Sequence, residues 1–99
     1  MKDLKTGNLI TSSGVTDKMY QCARFSVFCQ HSLEKHKKGD WGNVEQEDWE
    51  CNDLAFEEND RIVSQYSFPP EVAANEDDSI YIITEYDRSV TTILFPSEY

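Results

Sequence analysis

Ser79-Ile80-Tyr81-Ile82-Ile83-Thr84-Glu85 and Val90-Thr91-Thr92-Ile93-Leu94-Phe95, joined by Tyr86-Asp87-Arg88-Ser89, decide how this chain folds. Both segments are dense in β-branched and aromatic side chains, which suit a pleated surface. The connection supplies Asp and Ser, whose side chains hydrogen-bond to a turn's own backbone, so the pair reads as a hairpin. Arg61–Phe68 has the same composition, and with it residues 61–95 become a three-stranded antiparallel meander. The connection Pro69–Asp78 is acidic and led by proline, which predicts an exposed, mobile loop.

Upstream of the meander the period changes. Cys22, Phe25, Cys29 and Leu33 follow i, i+3, i+7, i+11 spacing, which predicts a helix over about 17–38; crowding by aromatic and β-branched residues favours a break near Ala23 or Arg24. Lys35, Lys37 and Lys38 fill its last turn and Gly39 follows, a pattern that suits the helix dipole and a left-handed cap. A second helix is expected over about Asn43–Glu58, with Asp40 or Asn43 as N-cap and Gln46 as a capping-box partner. Its Val44, Trp49, Cys51, Ala55 and Phe56 fall in one arc, opposite Glu47, Glu50, Asp53, Glu57 and Glu58. Asp48 and Asn52 lie inside the apolar arc and are expected to be at least partly buried. Asn8-Leu9-Ile10-Thr11 reads as a short extra strand or an extended arm within residues 1–14, ended by the turn cluster Ser12-Ser13-Gly14. Two helices packed on one face of a three-stranded meander give an α+β class.

With 99 residues the chain makes one domain, 1–99, whose 38% hydrophobic and 12% aromatic content lies in the globular range. No apolar run approaches a membrane span, and the N-terminus carries no signal-like apolar stretch, so a cytoplasmic protein is expected. Cys22, Cys29 and Cys51 are odd in number and form no C-x-x-C pair, which reads as buried small hydrophobes with a free reactive thiol as the alternative. His31 and His36 are five apart, do not share a helix face, and are expected at the surface near the basic end. No cofactor or metal is expected.

Charge is the most informative bulk property. Residues 1–38 carry seven basic and three acidic side chains, whereas 39–99 carry two and sixteen, for a net charge of −10. Such a surface repels phosphates, which disfavours direct nucleic-acid binding, and attracts basic ones.

From Gly39-Asp40-Trp41-Gly42 onward, through Asn52-Asp53, Asp60-Arg61, Ile82-Ile83-Thr84-Glu85, Asp87-Arg88-Ser89, Thr91-Thr92 and Pro96-Ser97-Glu98-Tyr99, the chain resembles a family of small bacterial proteins labelled plasmid-related and carried on mobile elements. The likeness covers about residues 39–99; the Pro69–Asp78 connection is longer than the family's short turn, and the N-terminal third matches weakly. The resemblance implies a genetic setting and brings no activity with it.

Each motif carries two readings. Trp41 is either an exposed anchor for a partner or a side chain packed over the core by a tight turn between glycines. Asp40, Trp41, Asp48, Asn52, Arg61, Asp87 and Arg88 form either a small ligand or catalytic site or a hydrogen-bond network in which Arg61 or Arg88 pairs with the buried Asp48 and Asn52. The exposed carboxylates Glu47, Glu50, Asp53, Glu57, Glu58, Glu76, Asp77 and Asp78 either keep the domain soluble or imitate spaced phosphates and occupy a basic groove on a nucleic-acid-handling protein. The function expected is therefore that of a non-enzymatic module, of inhibitor or nucleic-acid-mimic type, with a basic protein partner. An oligomer built through the edge of the meander or the basic first helix is a further expectation.

Overall fold

The hairpin closes where the sequence places it because its turn is held from within. Asp87 Oδ1 accepts hydrogen bonds from the Ser89 amide at 3.1 Å and its hydroxyl at 2.6 Å. Arg88 takes a left-handed φ of 60°, and its amide donates to the Glu85 carbonyl at 3.0 Å. The computed structural model describes residues 3–69 and 77–99. The elements run β1 (Asn8–Thr11), α1 (Ser13–Gln21), α2 (Ala23–Lys37), α3 (Gln46–Glu58), β2 (Ile62–Ser67), β3 (Ser79–Thr84) and β4 (Val90–Leu94), then a 3₁₀ turn at Pro96–Glu98.

β2, β3 and β4 form the antiparallel meander, with Tyr66 opposite Ile80 and Ile82 opposite Ile93. Asn8–Thr11 is a strand and no free arm: it lies parallel to β4, Asn8 opposite Val90 and Thr11 opposite Ile93. The class is α+β, but three helices and a mixed four-stranded sheet of order β1-β4-β3-β2 replace the two helices and antiparallel three-stranded sheet expected. The connection holding Glu76 falls mostly outside the described residues.

Local chemistry explains the shifted boundaries. Ser12-Ser13-Gly14 is a helix start, because Ser12 Oγ accepts from the Val15 amide and donates to Glu98 Oε1 at 2.5 Å. Helix one then breaks at Cys22, whose backbone is extended, one residue ahead of the predicted break. α2 ends as its sequence predicts: Gly39 has φ 84°, and the Asp40 and Gly39 amides bond back to the Lys35 and His36 carbonyls. α3 starts later than expected, with Glu45 as N-cap. Asp40 and Asn43 do not cap it; Asp40 accepts from the Gly42 amide and Asn43 from the Ser67 amide. Gln46 bonds to Glu50 and closes no capping box.

Strand parity and register put Ile62, Ser64, Tyr66, Ile80, Ile82, Thr84, Thr91, Ile93 and Phe95 on one face of the sheet. α1 and α2 cover most of it through Val15, Phe25 and Cys29. Beside β2, a second cluster joins Leu4, Trp41, Ala55 and Ile62. Cys29 is buried as expected, with its thiol pushed up to about 12 by burial. Cys22 is half-buried and Cys51 exposed, so the reading of all three as buried hydrophobes holds for one.

Candidate functional site

The acidic helix is the first candidate. At 100° per residue, Asp53, Glu57, Glu50, Glu47 and Glu58 fall within an arc of about 140°, and all five are exposed. Asp48 is exposed too, which corrects its expected burial: it shares a helix face with Asn52 and Ala55, but it lies in the first turn of the helix, where it lines an open cleft beside Asn52. Among the described residues none of these six carboxylates forms an ion pair; the pairs present are Lys37–Glu34, Lys38–Asp3 and Arg61–Glu85. Leu54, inside the acidic arc, is 57% exposed. Asp77 is drawn away from the acidic surface, since its carboxylate accepts from the Ser97 amide and hydroxyl at 3.1 and 2.8 Å. Asp78 is exposed.

The inward polar residues are committed elsewhere. Asn52 reaches the outer edge of β2, where its Nδ2 donates to the Val63 carbonyl at 2.8 Å and its Oδ1 accepts from the Val63 amide at 3.3 Å. The Gly39–Gly42 turn continues this cover: the Gln65 amide donates to the Trp41 carbonyl, and the Asn43 amide donates to the Gln65 carbonyl. Asn43 Oδ1 then takes the Ser67 amide. Trp41 is fully buried, and its indole N–H donates to Asp53 Oδ1 at 2.9 Å. The turn thus closes a sheet edge.

Neither arginine pairs with Asp48 or Asn52. Arg61 contacts Glu85 at 3.4 Å and donates to the Tyr99 hydroxyl at 2.9 Å, and that hydrogen bond chiefly raises its pKa. Arg88 donates to the Asp60, Ala55 and Glu85 carbonyls at 2.6, 2.9 and 3.2 Å. It fastens the hairpin to the C-terminal end of α3, where carbonyls lack helical partners. The expected constellation is split between two clefts. Asp48 and Asn52 line one with Tyr81 and Tyr99, whereas Arg88 lines another with Lys5, Lys38, Asp53 and Glu57.

His36 is the residue that sequence reasoning misplaced most. It is fully buried between the two apolar clusters, with Nδ1 2.6 Å from Ser64 Oγ and Nε2 2.8 Å from Thr84 Oγ1. Thr84 Oγ1 lies 2.7 Å from Thr91 Oγ1, which donates to the Thr6 carbonyl at 2.8 Å. One proton per hydroxyl orders the chain: Thr91 gives its proton to Thr6, Thr84 gives to Thr91, His36 Nε2–H gives to Thr84, and Ser64 gives to Nδ1. The imidazole is neutral, pulled down to about 3 by burial first and the Arg88 charge second. A usable signal existed, since Phe25, Cys29, Ser32 and His36 share a helical stripe, and Ser64, Thr84 and Thr91 are small hydroxyl residues among the apolar side chains of the covered sheet face.

Among the described residues no group of three or more His, Cys, Asp or Glu is placed to hold a metal ion, and no helix is long and apolar enough to cross a membrane. Comparison with protein families, curated proteins and solved structures finds no match.

Proposed function

We propose that the protein is a non-enzymatic interaction module whose helix α3 docks on a basic protein partner. The observation that carries this reading is the exposed arc of Glu47, Glu50, Asp53, Glu57 and Glu58 with no described cation paired to it. Uncompensated charge on a rigid element attracts and orients a cationic surface. Leu54 adds an apolar anchor inside the charged rim, the arrangement of a protein-binding patch. A groove that normally holds nucleic acid fits this chemistry, and the likeness of residues 39–99 to plasmid-related proteins supplies a setting in which blocking such a groove is useful. The polar residues outside the acidic arc favour the interaction reading over an enzymatic one, because Asn52, Arg61, Arg88 and His36 are each held by hydrogen bonds within the fold.

The test is binding to basic nucleic-acid-binding proteins, read by calorimetry at low and high salt. Association that weakens steeply with salt, is displaced by duplex DNA, and is lost in Glu47→Lys/Glu50→Lys/Glu57→Lys supports the reading. Leu54→Ala is expected to weaken it by about 1–2 kcal/mol, roughly five- to thirtyfold. Binding that survives both sets of changes refutes the assignment to α3.

A further inference from the structure

The two edges of the sheet are treated differently. Along β2 the outward backbone groups of Val63 and Gln65 and the Ser67 amide are closed by Asn52, Trp41 and Asn43. Along β1 they are open. The Asn8 amide donates to the Ser89 carbonyl and the Ser12 amide to the Ile93 carbonyl, so residues 8, 10 and 12 bond inward to β4. Leu9 and Thr11 therefore direct their N–H and C=O groups away from the sheet, and among the described residues these groups have no partner. Leu9 lies on the helix-covered face and Ile10 on the other, by register with Thr91 and Thr92. Each is 49% exposed.

We propose that β1 pairs antiparallel with β1 of a second copy of this chain. A twofold axis at Ile10 sets Leu9 opposite Thr11 of the other copy and Thr11 opposite its Leu9. This register uses all four outward groups of each strand, whereas a twofold at Leu9 or Thr11 uses fewer within β1. Gly7, at φ 59°, ends the extended backbone on the other side. The Ile10 side chains then face each other at a non-hydrogen-bonded position, the closer of the two antiparallel pairings. Charge favours a second copy here. Residues 6–16 hold no charged side chain, so nothing at the edge repels a like molecule, and none of the Lys or Pro that normally blunts an open strand is present. The acidic helix sits by β2 at the far edge, so pairing through β1 keeps both acidic helices at opposite ends of one eight-stranded sheet. A four-residue strand gives less than the roughly 1,000 Å² of a stable interface, which makes the dimer concentration-dependent.

Two measurements on the full chain test the pairing. In a Cys51→Ser background, oxidised Ile10→Cys is expected to form an intermolecular disulfide, because facing Cα atoms lie about 4.5 Å apart. Leu9→Cys, offset from its own copy, is not. Sedimentation of the reduced wild-type chain from low to high micromolar concentration is expected to show a rise toward twice the monomer mass, abolished by Ile10→Lys with the fold checked by circular dichroism. Cross-linking that does not favour residue 10 overturns the proposal, as does a mass rise that survives Ile10→Lys. A mass rise lost on charge reversal of α3 but kept in Ile10→Lys assigns association to the acidic helix and also overturns it. If Ile10→Lys does not fold, the cross-linking preference decides.

Discussion

At the scale of single residues, His36 decides how the core responds to pH. Its ring stays neutral in the fold down to about 3, against an ordinary value of 6.5. As pH falls below 6.5 the unfolded chain takes up this proton first, so unfolding becomes easier; the contribution of His36 is fully present above 6.5 and is lost progressively toward 3. Between pH 6.5 and 5 the loss amounts to about 2 kcal/mol, at 1.36 kcal/mol per unit. Urea unfolding at pH 7.5, 6.5 and 5 checks this, and His36→Ala should flatten the dependence. That variant should also be less stable at pH 7.5 by about 2–4 kcal/mol, since it leaves a cavity and orphans Ser64 and Thr84. The Glu98 carboxylate acts in a lower window. Burial works to raise the Glu98 carboxyl, but hydrogen bonds from Ser12, Phe95 and Gly14 together hold it below its ordinary value, so its contribution fades only in more acidic solution.

At the scale of elements, the Gly39–Gly42 turn and α3 act as a cover for β2. Asn52 offers its amide to Val63 as a neighbouring strand would offer its backbone. Asn52→Ala is expected to cost about 1–3 kcal/mol by leaving a half-buried N–H and C=O unpaired, measured by urea unfolding. Light scattering should show more aggregation, because a second edge is then exposed. Gly42 has φ 79°, and a Cβ there would collide with the Gln65 carbonyl oxygen and the Tyr66 ring. Gly42→Ala should therefore cost about 2 kcal/mol or more in the same assay. These links were hidden from local patterns for a physical reason. Asp40 and Asn43 resemble helix caps because short polar side chains serve caps and turns alike, and only the position of β2 decides which amide each one takes.

For the whole molecule, the sheet order separates the acidic helix by β2 from the uncharged edge at β1. Repulsion among the α3 carboxylates opposes the folded state, and salt screens it. The melting temperature should therefore rise as sodium chloride is added, and the rise should shrink in Glu47→Lys/Glu50→Lys/Glu57→Lys. That variant should be no less stable than the wild type at low salt, which separates a role in binding from a role in folding. Scanning calorimetry at low and moderate salt reads both.

Composition and periodicity alone determined the α+β class, the β2–β3–β4 meander, the end of α2 at Gly39 and the acidic face of α3, because each depends on neighbours within a turn or a hairpin. Tertiary structure decided the rest. Asn8–Thr11 became a strand only because β4 lay open beside it, and Asp48 stayed exposed on the same helix face as Asn52 because only Asn52, one turn further on, meets the β2 edge. His36, read as a surface residue from its basic neighbours, is buried because three hydroxyls from distant strands satisfy both its ring nitrogen atoms and one another. A buried polar group is stable where its partners meet it, and partners that arrive from far along the chain leave no mark in a local window.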